Sequence, residues 1–495
     1  MAISYLLWPS AAICFTIITF ITLKKPQRDI VFGRLGLAPD RNRPSTPTLE
    51  KQPLSKPLAE SSSELASALP PSQRDQLKEL APKLSPIQKK ALGDLSFDQK
   101  VYETSLLGLQ EDFRAANGSK YSYSGFSVAE IKALGDFPDY SLLSEVPMPN
   151  PYHEFDIDKA KARPYRPFRW GYHQTMSLTK LEPDWWIELE STYKTRIAQR
   201  KAFYEKHGKD VLQWLPGSEL ACKELMEMVL QFLCARYPQY FSLYSKRRKG
   251  YIFTNKILNT ETVIGEQHPL LVLLDHVPED FAITLRDPVT GYYSFRAGII
   301  CSALGWNVDT KIGKELHEIH EVVPDYKEKM QFSMDRYFSK MPVNKPIQRG
   351  SWGVEVDEPL YMPPGDPHEA YRSYQDASLT IQRINLRVDW QTLRRLPLSG
   401  AIVFNFKALF TPLEEFRTEP YVPSLVLKVL EEGKENLMKY KNTWHTHHVA
   451  FPALREYIKE QEDKGLIEKD WDVATLAKSP FFPGWEEKWH AQQGF

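Results

Sequence analysis

Residues 383–416 read RINLRVDWQTLRRLPLSGAIVFNFKALFTPLEEF, and this stretch predicts two strands joined by a turn. In its first half Ile384, Leu386 and Val388 alternate with polar residues, which is the period of two of a strand with one buried face. Ser399-Gly400 supplies turn residues, and a second alternating run extends over residues 401–409. The stretch therefore predicts two strands of one sheet that follow each other directly in the chain.

The same strand pair carries a cluster of arginines, namely Arg383, Arg387, Arg394 and Arg395. Guanidinium groups form paired hydrogen bonds with planar carboxylates, so we expect one or two of them to bind an anion beneath an apolar pocket. The others are expected to bind backbone or surface carboxylates. Gln391 lies beside them and is expected to hydrogen-bond either a substrate or buried backbone groups. The alternative interpretation of the cluster is a solvated sheet face.

Length and composition predict a large globular protein. The chain has 495 residues, of which 42% are hydrophobic and 25% charged, enough to bury a sizeable core. Its 63 basic and 63 acidic residues balance, so no positive field favours nucleic acid. The four cysteines are scattered without a CxxC pair, which argues against a disulfide framework or a structural zinc site. Small-molecule partners are therefore favoured.

The N-terminus predicts a membrane anchor over residues 1–23. Residues 2–23 contain no charge and are followed at once by Lys24 and Lys25. Because the positive charges follow the apolar run, a cleaved signal peptide is disfavoured, and the positive-inside rule directs the C-terminal body to the cytosol. We therefore predict a single-pass protein of the endoplasmic reticulum. Residues 24–94, rich in proline and serine, are predicted to form a flexible tether.

Beyond the tether we predict an extension over residues 95–150, a main domain over 151–465 and a tail over 466–495. The patterns predict mixed α+β structure with a meander of antiparallel strands. Asp184 is expected to cap a helix that contains Trp186. Further helices are predicted over 218–236, 313–321, 325–340, 423–440 and 449–464, and further strands over 270–274, 281–285 and 292–300.

The run from Gln391 to Pro397, followed by Ser399-Gly400, closely resembles the signature of the HRQ family, the group that contains the haem-dependent oxidative N-demethylase alpha subunit. The resemblance continues in chain order through Thr175-Met176, Asp184 with Trp186, Pro278-Glu279-Asp280, Lys311-Ile312-Gly313, Ile319-His320-Glu321-Val322-Val323-Pro324, and Arg349 with Trp352. It implies a PAS-like antiparallel sheet enlarged by helices and holding haem b. It also implies a haem-dependent oxidase or monooxygenase that oxidises a C–H bond next to nitrogen or at a comparable position.

The same resemblance identifies His320, in the family's Ile-His-x-x-Val-Pro pattern, as the axial ligand of the haem iron. His317 lies one turn earlier and is the alternative ligand. Thiolate ligation is disfavoured, because Cys222 and Cys234 lie in a predicted helix without a glycine-rich cysteine loop. The four arginines become candidate partners of the haem propionates or of a substrate carboxylate.

Glu279 and Asp280 match a family motif where a loop enters a strand. Paired carboxylates there are expected to orient a cationic amine and accept its proton, and the alternative is turn capping. Departures from the family pattern at Ser177, Gly350-Ser351 and Trp390 make the substrate the least transferable property. The chain has no phosphate loop, flavin motif or iron–sulfur motif, so its electrons are expected from a separate reductase, a redox partner protein.

Other functional classes compete with the enzyme hypothesis. A membrane-tethered sensory module would use the same PAS-like pocket to bind haem or another ligand without turnover. A glycosyltransferase is suggested only by the anchor and by Asp156-Ile157-Asp158, which has the spacing of a metal-binding DxD motif. The histidines of residues 444–448 offer a non-haem metal site, and the alternative there is a polar loop.

Overall fold

Antiparallel sheets and helices are mixed in residues 106–171, 176–246 and 250–494, which are the residues described by the computed structural model. All of them belong to one compact unit. The predicted α+β class is confirmed. The strands are β1 (Thr179–Lys180), β2 (Leu212–Trp214), β3 (Phe241–Lys246), β4 (Gly250–Asn255), β5 (Thr260–Val263), β6 (Asp280–Arg286), β7 (Tyr293–Ile299), β8 (Ile347–Val356), β9 (Ile384–Arg395) and β10 (Ile402–Pro412).

The α-helices pack around these strands. They are α1 (Val128–Leu134), α2 (Tyr140–Ser144), α3 (Tyr193–His207), α4 (Glu219–Arg236), α5 (Pro269–His276), α6 (Leu316–Ile319), α7 (Gln331–Lys340), α8 (Val422–Glu432), α9 (Glu435–Lys441), α10 (His447–Asp463) and α11 (Trp485–Gln493). A π-helical turn, Tyr326–Met330, precedes α7. Short 3-10 turns are Pro183–Trp185, Gly208–Asp210, Pro367–Ser373, Ile381–Arg383, Leu413–Thr418 and Trp444–Thr446.

The larger sheet has the strand order β1-β8-β9-β10-β6-β7-β2, and a smaller sheet has the order β3-β4-β5. The predicted strand pair lies at the centre of the larger sheet, where β9 and β10 pair in register from Arg395 opposite Ile402 to Asn385 opposite Pro412. This hairpin is confirmed. It is the longest pairing in the described part of the chain, so it positions the side chains on both faces of the sheet.

The two faces of the larger sheet have different surroundings. Ile384, Leu386, Val388 and Trp390 point to the face that we call the core face, and all four belong to the main hydrophobic cluster together with residues of α4. The opposite face, which we call the open face, is covered at one end by a smaller cluster built from α7 and the π-helical turn, in which Leu393 takes part. The rest of the open face includes several partly exposed side chains.

Several predicted elements are confirmed, among them the helix α4 and the strands β6 and β7. The predicted strand over residues 270–274 is wrong, because this segment is the helix α5. Pro269 occupies its first turn, and the His268 side chain accepts a hydrogen bond from the N–H of Leu270. A short apolar run does not distinguish a buried strand from a buried helix by its periodicity.

Two predicted helix boundaries also need correction. Asp184 caps no long helix: α3 begins at Tyr193, and Asp184 instead accepts a hydrogen bond of 2.7 Å from the N–H of Asn150. The helix predicted over residues 313–321 is reduced to the short α6. Gly313 has a φ of 82°, in the left-handed region, and Glu315 caps the helix in a capping box with Glu318.

The predicted membrane arrangement is corrected as well. In the described part of the chain no helix combines the length and the apolar character needed to cross a bilayer. This finding contradicts the prediction of a single-pass protein of the endoplasmic reticulum. The segment predicted as its anchor, residues 1–23, and the predicted tether, residues 24–94, lie outside the described residues.

Candidate functional site

His320 lies at the C-terminal end of α6 with one ring nitrogen already engaged. Its Nδ1 is 2.7 Å from the carbonyl oxygen of Leu316, and because a carbonyl can only accept, Nδ1 carries the hydrogen. The ring stacks on Tyr326, with 5.0 Å between the centroids and 11° between the planes. The remaining nitrogen, Nε2, therefore carries the lone pair, and no described residue forms a hydrogen bond with it.

The surroundings of His320 keep its ring neutral. Burial lowers its pKa to about 4, and the positive charges of Lys311 and Arg349 lower it further, against the raising effect of the Leu316 carbonyl. A neutral imidazole with a fixed tautomer is the form that binds a metal ion. His320 thus has the protonation state of a metal ligand at neutral pH.

His317 is placed differently from His320. Its side chain is 41% exposed, and its Nδ1 lies 3.4 Å from a carboxylate oxygen of Glu315. Its ring is 6.2 Å from that of Tyr292, which is itself exposed. The structure therefore places His317 on the surface.

The open face near His320 carries polar side chains in strand register. Arg349 on β8 is the partner of Gln391 on β9, and Ser351 is the partner of Asp389. Side chains of register partners lie on the same face of a sheet. Arg349 also lies close enough to His320 to affect its pKa. The structure thus brings His320, Arg349 and Gln391 to one side of the sheet.

Aromatic rings form an apolar wall beside these groups. Phe338 of α7 stacks on Phe404 of β10 at 5.6 Å, and Phe404 stacks on Phe406 at 5.8 Å. Phe406 is the register partner of Gln391, so the row of rings continues next to the polar side chains. A flat aromatic group can pack against such a row by offset stacking.

Lys441 extends the polar group from the end of α9. Its Nζ donates to the Ser351 hydroxyl at 3.1 Å and to the Trp352 carbonyl at 2.7 Å. Burial lowers its pKa to about 8, while the charge of Asp389 raises it and that of Arg349 lowers it. Neither Arg349 nor Lys441 was predicted as a site residue. Arg349 stood within the motifs quoted for the family resemblance, whereas no sequence signal pointed to Lys441.

Arg387 and Arg395 are buried and already bonded to protein oxygens. Arg387 donates to Asp389 and to the carbonyls of three residues, which are Ser302, Pro359 and Leu360. Arg395 donates to the Tyr293 hydroxyl and to the carbonyls of Met341, Gly400 and Phe338. Both guanidinium groups therefore tie strand β9 to neighbouring segments.

Arg383 and Arg394 have contrasting surroundings. Arg383 is partly exposed and forms a paired contact with Asp357, with distances of 2.9 and 2.7 Å. Arg394 is buried on the core face, 4.1 Å above the ring of Trp186, and its Nε has no hydrogen-bond partner among the described residues. Burial lowers its pKa to about 10. Arg394 and His320 lie on opposite sides of the sheet.

Glu279 and Asp280 also point to opposite faces. The carboxylate of Glu279 lies on the core face, where it accepts hydrogen bonds from the N–H of Glu188 at 3.0 Å and from the Asn405 amide. Burial raises its pKa to about 7, although the charge of Lys407 and the hydrogen bond from Asn405 lower it. The two carboxylates therefore do not act as a pair at one site.

Asp280 lies instead at the wall of a small pocket. Its two oxygens accept hydrogen bonds from the Arg200 guanidinium and from the Ser302 hydroxyl. The pocket, which we call the Arg200 pocket, is lined by Glu190, Arg196, Arg200, Asp280, Ser302 and Phe406, among others. No sequence signal pointed to Arg200, because it lies 80 residues from Asp280 along the chain.

The histidines of residues 444–448 bind separate partners. His445 contacts the Asn442 carbonyl at 3.0 Å, His447 the Thr443 hydroxyl at 2.9 Å, and His448 the Asp376 carbonyl at 2.8 Å. In the DxD triplet, Asp156 accepts a hydrogen bond of 3.0 Å from the N–H of Asp158. Among the described residues no group of three or more His, Cys, Asp or Glu side chains is arranged to hold a metal ion.

Comparison with protein families adds one finding. The family model described as "Haem-dependent oxidative N-demethylase, alpha subunit-like" matches residues 177–451. This range covers more than half of the 495 residues. It includes all strands from β1 to β10, His320, and the polar side chains of the open face.

Proposed function

The chain belongs to the haem-dependent oxidative N-demethylase, alpha subunit-like family, and we propose that it is a haem-dependent oxidoreductase acting on an amine or another small metabolite. The observation that carries the proposal is the state of His320. Its Nδ1 is held by the Leu316 carbonyl, and its Nε2 carries a lone pair with no hydrogen-bond partner among the described residues. Histidines that bind a metal commonly donate their other N–H in this way.

We assign Nε2 of His320 to the iron of haem b. Haem also needs apolar walls and cations for its propionates, and both occur near His320. The stacked rings of Phe404 and Phe406 offer the wall, and Arg349 and Lys311 offer positive charge. When bound, haem supplies an iron centre for the activation of dioxygen. This fit supports a PAS-like sheet as the haem-binding platform, as the family resemblance implies.

The chain's own residues bind and orient the substrate. Gln391, beside Arg349 on the open face, offers both a donor and an acceptor for a polar substrate group. An amine is cationic near neutral pH and must lose a proton before the carbon next to nitrogen is oxidised. The carboxylate of Asp280 lies at a pocket wall, but its two oxygens already accept hydrogen bonds from Arg200 and Ser302, so Asp280 holds the Arg200 side chain in place. Glu279 is enclosed on the core face, where its carboxylate accepts a hydrogen bond from the N–H of Glu188.

Oxidation of an N-methyl group by dioxygen also consumes electrons and protons, and yields the demethylated amine, formaldehyde and water. The sequence has no flavin or iron–sulfur motif, so we propose a separate reductase as the redox partner. Turnover distinguishes this enzyme from a sensory module that binds haem in the same fold. Substrate-dependent consumption of reductant with release of an oxidised product supports the enzyme, whereas a spectral response without consumption supports the sensor.

The ligand assignment is tested by substituting His320 and His317 separately in the full-length chain. After reconstitution with haem, we expect the wild type and His317→Ala to show the same Soret band. His320→Ala is expected to lose or shift this band, because its imidazole is the proposed ligand. The measurement is the absorption spectrum together with the haem bound per chain.

His317→Ala is the matched control, since it removes an exposed histidine from the same helix. A wild-type spectrum in His320→Ala would contradict the ligand assignment. Absence of any Soret band in the wild type after reconstitution would overturn the proposed function itself.

A further inference from the structure

The Arg200 pocket lies where the sheet has a gap. The pairing of β10 with β6 ends at Phe406 opposite Asp280, while β10 continues to Pro412. Arg200 reaches this gap from α3 and is 2% exposed. The pocket is therefore built from a buried charged side chain beside the first residue of β6.

The guanidinium of Arg200 is only partly used by the protein. Its Nη1 donates to Asp280, whereas Nε and Nη2 have no hydrogen-bond partner among the described residues. These two nitrogens form one edge of the guanidinium, and their N–H groups point in parallel. Buried donors without partners cost roughly 1–3 kcal/mol each, so such an edge favours a ligand.

Three other arginines of this chain show what that edge binds. In each of the three, Nε and Nη2 donate hydrogen bonds to the two oxygens of one carboxylate, at distances between 2.5 and 3.1 Å. They are Arg166 with Glu419, Arg372 with Glu355, and Arg383 with Asp357. Paired contacts of this kind give both strength and a defined geometry. Arg200 lines the pocket and has the same edge without a protein partner among the described residues.

Three cationic and two anionic side chains line the pocket. Arg200 is paired with Asp280, and Lys407 lies 3.6 Å from Glu190. Arg196 also lines the pocket, and it forms no ion pair within the described part of the chain. The carboxylate of a ligand in this pocket would act as a counter-ion for Arg196 as well as for Arg200, which is the condition that buried charges normally meet.

We infer that the Arg200 pocket binds the carboxylate of a small ligand through the Nε–H and Nη2–H of Arg200. Resting on the proposed function, this ligand is the substrate, an amine that also carries a carboxylate. Phe406 lines the pocket and is the register partner of Gln391 on the open face. With about 4.8 Å between neighbouring strands, a ligand of amino-acid size anchored at Arg200 extends towards Gln391.

The carboxylate site is tested on the full-length wild-type chain without haem, titrated with acetate and, separately, with acetamide at constant ionic strength. Acetamide has nearly the same shape but no charge. We expect acetate to bind and acetamide not to bind in isothermal titration calorimetry. Equal responses to both probes, or no response to acetate, would show that water alone solvates the edge and would overturn the inference.

Substitution then locates the binding site. Arg200→Lys keeps a positive charge next to Asp280 but removes the paired edge, so we expect about tenfold weaker binding of acetate. Arg372→Lys is the matched control, because it alters an edge that Glu355 already occupies, and it is expected to bind acetate as the wild type does. Unchanged acetate affinity in Arg200→Lys would overturn the assignment. If this variant does not fold, the comparison of acetate with acetamide decides.

Repeating the titration after haem reconstitution distinguishes two sources of the carboxylate, the substrate and a haem propionate. Acetate binding that persists with haem bound supports the substrate as the source, whereas its loss assigns the site to a haem propionate. Demethylation of N-methylglycine in preference to dimethylamine, with the preference lost in Arg200→Lys, supports the carboxylate-bearing substrate. The reverse preference overturns the substrate class. Failure of the proposed function is distinguishable, because it removes the haem spectrum and leaves acetate binding to the haem-free chain unchanged.

Discussion

Two buried carboxyl groups of this protein have pKa values well above the ordinary value of a glutamate. Glu279 and Glu224 are both buried, and burial raises the pKa of each to about 7. Glu224 accepts hydrogen bonds from the backbone of Leu398 and Ser399, and Glu279 accepts them from Asn405 and Glu188. These bonds favour the ionised form but do not fully offset the loss of water. Both groups therefore titrate near physiological pH.

This titration of Glu279 predicts a stability that depends on pH. Its pKa is higher in the folded state than the ordinary value of 4.5, so the folded state binds the proton more tightly. The contribution of Glu279 to the free energy of unfolding is fully present at pH values below its ordinary pKa of 4.5. It falls as the pH rises from there to about 7, and above that pH it is constant. Relative to Glu279→Gln, we expect the wild type to lose up to about 1.4 kcal/mol per pH unit in this window.

The measurement is the free energy of unfolding in urea at pH values from 5 to 8. Glu205→Gln is the control, because it makes the same substitution at an exposed side chain of α3. If the free energies of unfolding of the wild type and of Glu279→Gln changed equally with pH, the raised pKa assigned to Glu279 would be contradicted.

At the scale of elements, the β9–β10 hairpin depends on a turn that several segments hold in place. Gly400 has a φ of 72°, in the left-handed region that favours glycine. A β-carbon at this position would lie 3.0 Å from the ring of Tyr123 and 3.1 Å from the backbone nitrogen of Ser124. The turn is therefore restricted both by its backbone conformation and by the packing of the preceding segment.

Gly400→Ala is expected to lower the free energy of unfolding by about 2–3 kcal/mol, through a strained φ and a close contact. Gly465→Ala is the matched control, since Gly465 has a φ of 65° with no atom near its added β-carbon. It carries only the conformational cost, about 1–2 kcal/mol. Urea unfolding measures both, and a smaller effect at Gly400 than at Gly465 would show that the contact with Tyr123 is unimportant.

At the scale of the whole described unit, the C-terminal segment completes the core. Glu419 is fully buried, and its carboxylate binds Arg166 as well as Lys488 of α11. Trp489 donates from Nε1 to the carbonyl of Lys161 at 2.7 Å, and Phe482 is 1% exposed. The residues predicted as a tail thus pack against a segment more than 300 positions earlier in the chain.

Truncation after Gly465 is therefore expected to destabilise the protein strongly. Loss of the buried Phe482 and Trp489 side chains alone corresponds to about 4–6 kcal/mol, and the removal of Lys488 leaves Glu419 with one cation. Thermal unfolding measures the effect. Lys488→Met serves as the control for the lost charge, and it is expected to account for a minor part of the change. A truncated chain as stable as the wild type would contradict this account.

The local alternation of side chains was sufficient to predict the β9–β10 strand pair, since a strand period depends only on neighbouring residues. Motif order was likewise sufficient to predict the family. The sequence could not show that Arg395 binds the backbone around Met341, that Arg349 lies beside His320, or that Arg200 meets Asp280. These contacts join segments far apart in the chain, and whether a charged side chain binds a ligand or the protein depends on which oxygens the tertiary structure brings to it.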